Sequence, residues 1–155
     1  MVLPGGDGDG WTYCAQGHKH WGIYGAAGLL IRHSDPDAGD RVLLQHRALW
    51  SHHGGTWGIL GGARDSGETA LAAAAREADE EAGVAAASYR VVGEHVDDHG
   101  GWSYTTVVAR ADTAFPALHL TPESIAVEWV PVRRMHELPL HPGFAATWAV
   151  VREIG

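Results

Sequence analysis

The chain has 155 residues, enough for one domain with a substantial core, and 45% hydrophobic with 19% charged residues is ordinary for a soluble globular protein. A formal net charge of -8 argues against a nucleic-acid polymer as partner, since polymer binding relies on a basic footprint, and no apolar run approaches membrane-spanning length. The single cysteine, Cys14, excludes an intrachain disulfide; with no basic or apolar leader in MVLPGGDGDG, the expected compartment is the cytoplasm.

In chain order, Met1 to Gly10 is rich in glycine and aspartate and is expected to be a mobile arm. Trp11 to Trp21 carries Cys14, His18 and His20, part of a zinc ligand set; a structural zinc needs four ligands and no matched second pair is evident, so ordinary surface or strand positions are the competing reading. GAAGLLIR (Gly25 to Arg32) predicts a buried strand, RVLLQHR (Arg41 to Arg47) its partner, and His33 to Asp40 the turn between them. The glycine-bearing loop from Ala48 to Thr56 precedes Trp57 to Leu60. Arg47, Trp50, His52 and His53 are candidate substrate contacts, able to stack on a base or meet phosphate, with simple packing or solvent exposure as the alternative.

Gly61 to Val84 reads GGARDSGETALAAAAREADEEAGV. Its alanine run predicts a helix, with Ser66 as N-cap, Glu68 and Thr69 in the first turn and Gly83 as the stop. At about 100° per residue, Glu77, Glu80 and Glu81 share one sector, while Leu71, Ala75, Ala78 and Ala82 predict the packed face. Three like charges on one face repel, so a hard divalent cation is the natural guest, and carboxylate oxygens suit Mg²⁺ or Mn²⁺. Such an ion also reconciles the acidic chain with a small phosphorylated substrate.

Beyond the helix, Ser88 to Asp97 and Trp102 to Ala111 predict strands joined by an Asp98-His99-Gly100-Gly101 hairpin. Ile125 to Val132 predicts another strand, Arg133 to Leu138 a short helical turn, and Phe144 to Ile154 a terminal helix. The alternation implies one α/β domain over residues 1–155, its mixed sheet covered on both faces.

Gly62, Glu68 and the run Arg76-Glu77-Ala78-Asp79-Glu80-Glu81-Ala82-Gly83-Val84 resemble the complete Nudix box of the Nudix hydrolase family, with Ala78 where a bulkier residue is common. The wider resemblance runs through most of Gly22 to Val132. It implies an α/β/α sandwich with a mixed β-sheet, and hydrolysis of a nucleoside diphosphate linked to another group by water, assisted by Mg²⁺ or Mn²⁺.

By the same resemblance, Glu77, Glu80 and Glu81 are metal-binding glutamates and the Gly61 carbonyl an additional ligand. Arg76 orients the glutamates, its plainer alternative being a surface arginine with Glu80 at i+4. Glu68 supports the loop-helix junction, with metal contact as the alternative. Glu123, in Thr121-Pro122-Glu123-Ser124, resembles the second-half acid of MutT-type members, as metal ligand or general base; Glu77 is its rival as base, Glu128 the second candidate for the position, and a loop-capping acid the plain reading. Leu60 departs from the proline that often precedes the Gly-Gly pair. The implied activity is MutT-like hydrolysis of a nucleoside triphosphate, an oxidised one included, by a monomer or homodimer. An ADP-ribose or nucleotide-sugar pyrophosphatase, a non-catalytic nucleotide-binding regulator, and a protein-interaction module with Trp-rich loops are the alternatives.

Overall fold

Consecutive apolar residues along a strand bury both of its faces, so the sheet they form needs a cover on each side. The computed structural model describes residues 6–155 and shows this arrangement. Its elements are β1 (Trp11–Tyr13), β2 (Lys19–Trp21), β3 (Ala26–Asp35), β4 (Gly39–Arg47), β5 (Trp57–Gly58), β6 (Leu60–Ala63), α1 (Ala70–Ala82), β7 (Arg90–Asp98), β8 (Ser103–Arg110), β9 (Ser124–Pro131) and α2 (Pro142–Val151). β1 and β2 form a separate hairpin. The main sheet runs β5-β4-β3-β8-β7, with β6 also on β3 and β9 on β4; it is mixed, since β3 and β8 are parallel and their neighbours antiparallel.

Alternation divides the core in two. Leu29, Ile31, Leu43, Val107 and Ala109 face Ala73, Ala74, Ala78 and Ala82 of α1. Leu30, Val42, Leu44 and Val108 face Met135, in the 3₁₀ turn Val132–Glu137, and Phe144 and Val151 of α2. The result is an α/β/α sandwich. No helix among the described residues is long and apolar enough to cross a membrane.

β3 and β4 pair only where Arg32 to Asp35 meets Gly39 to Val42. Farther from that turn β3 turns to β6, through Ala26 to Leu29, while β4 pairs with β9 and β5. The sheet therefore forks, and α1 lies against the β3-β6 arm, with its end carrying Glu81 reaching Gln45 of β4.

Several expectations need correction. The arm expected over residues 1–10 is anchored from Gly6 onward; residues 1–5 lie outside the described residues. Gly8 and Gly10 carbonyls accept from Ile23 and Gly22 at 2.9 and 2.7 Å. The Asp7 carboxylate takes the Ser66 backbone N–H at 2.8 Å and also the Ser66 hydroxyl. Ser66, so engaged, is not the helix cap: Thr69 accepts from Ala72 N–H at 3.1 Å, and α1 ends in left-handed Gly83 at φ 65°. The turn at 33–40 shrinks to 36–38, because the Asp35 side chain accepts from Asp37 and Ala38 and lets both strands run on. The packed face of α1 is rotated toward the glutamates by roughly 80° from the expected one: Leu71 is 47% exposed, whereas Ala73, Ala74 and Glu81 are buried. A carboxylate can face inward here because polar partners meet it.

Candidate active site

The site gathers at the fork, where β6 runs into α1 through the loop 64–69. Arg76 is the hub. Its Nε and Nη2 donate to both Glu68 oxygens at 2.9 Å, and Nη2 also donates to the Ala63 carbonyl at 3.0 Å. Nη1 donates to Glu77 at 3.0 Å and Glu80 at 3.4 Å. This two-pronged clasp holds the Glu68 carboxyl below the usual range, and Glu68 accepts the Asp65 N–H as well, at 3.0 Å. The loop is thereby bolted to the helix, and one guanidinium faces three glutamates.

Glu81 has different company. Only 3% exposed, it accepts the Gly61 N–H at 3.0 Å and the Gln45 amide at 2.9 Å, while Gln45 also donates to Ser124 Oγ at 2.6 Å. Burial, and then the Glu77 charge, push its carboxyl well above the ordinary range. Glu77 is pushed up to about 7 by burial, with Glu80 and Asp9 adding to the effect and Arg76 opposing it. Neutral donors satisfy the hydrogen bonds of Glu81 without cancelling its charge. The pair is electrostatically short of a cation.

The glycine pair makes this packing possible. A Cβ on Gly62 would lie 2.6 Å from Glu77 Oε1, and one on Gly61 would meet the Ala27 carbonyl at 2.5 Å and the Tyr104 hydroxyl at 3.0 Å. Burial and the charges of Glu81 and Glu77 drive the Tyr104 phenol to ionise only far above its ordinary value, so it stays a proton donor beside the carboxylates. Leu60, at the position where proline is common, is fully buried in the core beneath α1.

The hard oxygen donors suit Mg²⁺ or Mn²⁺ in kind, and Glu81, which accepts from the neutral donors Gln45 and Gly61 N–H while Arg76 pairs with Glu77, supplies a reason to bind one. Among the described residues, however, the helix glutamates are not gathered into a compact three-ligand group. Arg76 holds Glu77 and Glu80 in its own grip. Glu123 is exposed in the turn before β9, its carbonyl accepting the Ala48 N–H at 2.8 Å, and its charge helps raise the Glu81 carboxyl. Glu128 pairs across from Leu44, whose side chain belongs to the α2 face, so alternation turns it away from α1.

Arg47 ends β4 and donates from Nε to the His52 carbonyl at 3.0 Å, bracing the loop that follows. Trp50 in that loop is 70% exposed, and His53 adopts φ 54°. Ring centroids lie 5.8 Å apart for Trp11 and His52, 4.1 Å for His52 and His53, and 4.7 Å for His53 and His141. Burial, aided by Arg47, His53 and His52, drops His141 to about 4. Sequence reasoning missed Gln45, Tyr104, Asp9 and His141. Only Gln45 carried a visible signal, an amide in an inward position of an apolar strand. Of the partial zinc set, Cys14 and His20 come together with His99 in place of His18.

Residues 25–151 match the family described as NUDIX domain. A protein of Mycobacterium tuberculosis (strain CDC 1551 / Oshkosh), provisionally named 8-oxo-dGTP diphosphatase 3, is 50% identical over 153 residues, which span 95% of this chain and 70% of that protein. A Bifidobacterium longum (strain NCC 2705) protein named nucleoside triphosphate pyrophosphatase/Nudix hydrolase fusion protein is 43% identical over 146 residues, spanning 91% of this chain and 30% of that one. Among solved structures, a Nudix hydrolase from M. smegmatis, RenU, is similar with a TM-score of 0.85 and 47% identity, covering 94% of each chain.

Proposed function

We propose a substrate and a metal from one premise: this chain belongs to the Nudix hydrolase family. The substrate is a nucleoside triphosphate, an oxidised purine such as 8-oxo-dGTP among the first to try, cleaved by water to the nucleoside monophosphate and pyrophosphate. The 50% identical relative's name supports that choice. The observation that carries the reading is the pairing of half-buried Glu77 with buried Glu81, whose charge Arg76 offsets on one member only.

Glu77, Glu80 and Glu81, with the Gly61 carbonyl, would hold Mg²⁺ or Mn²⁺. Such an ion offsets phosphate charge, polarises the phosphoryl group and lowers the pKa of water. Arg76 and Glu68 keep the glutamates on the loop, and the neutral donors Gln45 and Gly61 N–H aim Glu81 without consuming its charge. Glu123, exposed in the turn before β9, takes the proton from the attacking water as the oxygen bonds to phosphorus and the anhydride oxygen leaves with pyrophosphate. Arg47, Trp50, His52 and His53 meet the phosphates and base.

Incubation with Mg²⁺ and a panel holding 8-oxo-dGTP, dGTP and ADP-ribose, with products identified by mass, tests this reading. Monophosphate and pyrophosphate from the triphosphates is the expected result. Preferential cleavage of ADP-ribose to AMP and ribose phosphate would move the assignment to a nucleotide-sugar pyrophosphatase, and binding without turnover would make the chain a regulator.

A further inference from the structure

The β1-β2 hairpin and the β7-β8 hairpin meet at their tips. Cys14 closes β1, with its N–H donating to the His18 carbonyl at 3.0 Å and its carbonyl accepting from Gly17 at 2.9 Å. Ala15 N–H donates across to the Gly100 carbonyl at 2.7 Å. Gly100 is left-handed, at φ 77°, and a Cβ there would lie 2.7 Å from the Ala15 methyl. These backbone contacts bring together side chains that lie far apart in the chain.

Ligand atoms of Cys14, His20 and His99 all lie within 4.8 Å of one another. Cys14 is buried as a free thiol. His20 stacks on Trp102 with ring centroids 3.9 Å apart and planes at 6°, and its Nε2 is buried with no hydrogen-bond partner. Such an orphan costs free energy unless something else satisfies it. His99 Nε2 donates to the Asp97 carboxylate at 3.0 Å, which leaves Nδ1 with its lone pair. A carboxylate behind one ring nitrogen is the arrangement that orients a metal-ligating histidine.

We propose that Cys14, His20 and His99 bind a divalent transition metal, Zn²⁺ fitting best, at a site separate from the carboxylates of α1. One thiolate and two imidazoles form a borderline-soft donor set that Mg²⁺ does not favour and Zn²⁺ does. Edges of a zinc tetrahedron with such ligands are roughly 3.3–3.6 Å, so closing the site takes a contraction of about 1 Å. Three protein ligands leave the fourth position to water. On binding, the thiol gives up its proton and no electron is transferred. The ion would clasp the N-terminal hairpin to the β7-β8 tip, and through Gly8 and Gly10 that hairpin adjoins the loop at Asp65 and Ser66.

The test uses tag-free full-length protein, reduced and stripped of metal, titrated with Co²⁺ under excess Mg²⁺. Tetrahedral d-d bands and a thiolate-to-cobalt charge-transfer band should grow to one equivalent and vanish on adding Zn²⁺. Cys14→Ser should lose the charge-transfer band and His99→Ala the tetrahedral spectrum, while both keep Mg²⁺-dependent hydrolysis as evidence of an intact fold. A wild-type spectrum without the thiolate band would overturn the proposal whatever the variants do, as would a band that persists in Cys14→Ser.

Discussion

Two donor clusters in this molecule differ in how they are assembled. The glutamates of α1 come from five consecutive residues, Glu77 to Glu81, and their geometry is inherited from the helix. Cys14, His20 and His99 come from two hairpins and converge where Gly100 lets Ala15 approach. The first cluster has hard oxygens in electrostatic need of a cation, while the second has nitrogen and sulfur donors packed around one orphaned ring atom. A local cluster can be read from spacing, whereas a dispersed one needs the topology first.

The sharpest way to strain the comparison is at Glu123, proposed as the base and supplied from outside α1. Glu123→Gln should lower kcat by roughly 10²- to 10⁴-fold with a smaller change in KM, as for a general base. A stability loss of about 1 kcal/mol with normal kcat would make it only a turn-capping acid. Glu128→Gln, on the opposite face of the sheet, should leave turnover near wild type, and a collapse there would reverse the assignment of the two acids.

Gln45→Leu probes whether the glutamates depend on the strands as well as on their helix. Without the amide, Glu81 loses a donor that aims it, and metal affinity measured by Mn²⁺ titration should fall about 10- to 100-fold, with kcat largely restored at saturating metal. Unchanged affinity would mean that α1 alone positions the carboxylate.

Thr69→Ala removes the α1 cap and should cost about 1 kcal/mol in chemical denaturation, where Ser66→Ala should not weaken the helix in this way. Equal losses would restore Ser66 as a cap.

The smallest effect concerns His141, which caps α2 by accepting the Gly143 N–H on Nδ1 at 3.0 Å. Its folded pKa of about 4 lies below the ordinary histidine value, so on acidification the unfolded chain takes up the proton first. The stability it contributes is therefore present above about 6.5, the ordinary histidine pKa, and is lost as pH falls toward 4. His141→Asn keeps a capping side chain that does not titrate; its melting temperature relative to wild type should rise across that window. A constant difference would show that His141 titrates normally.

The residues explain how far sequence reading reached. The apolar runs in GLLIR and RVLLQHR marked buried strands, because burial on two faces leaves apolar residues in succession, and the mixture of such strands with two helices pointed to the doubly covered sheet. The helix and its Gly83 stop followed from propensity. The face of α1 did not, since the expectation placed every charge outward and Glu81 points inward on Gln45. Ser66 looked like the cap until Asp7, distant in sequence, claimed its hydroxyl. The β1-β2 hairpin is short and its strands have exposed flanks, leaving little periodicity to read. Tyr104 and His99 act through approaches to Gly61 and Cys14 that no spacing announces.

The central claim is that the carboxylates of α1 hold a divalent cation for hydrolysis of a nucleotide anhydride. Its most direct measurement is the initial rate of pyrophosphate release from a nucleoside triphosphate, followed as Mg²⁺ is added to chelator-treated wild-type protein and to Glu80→Gln. The wild-type rate should rise from background to saturation with metal, and the variant should fold normally yet lose most activity. Full turnover in chelator, or wild-type turnover by Glu80→Gln at saturating Mg²⁺, would contradict the claim.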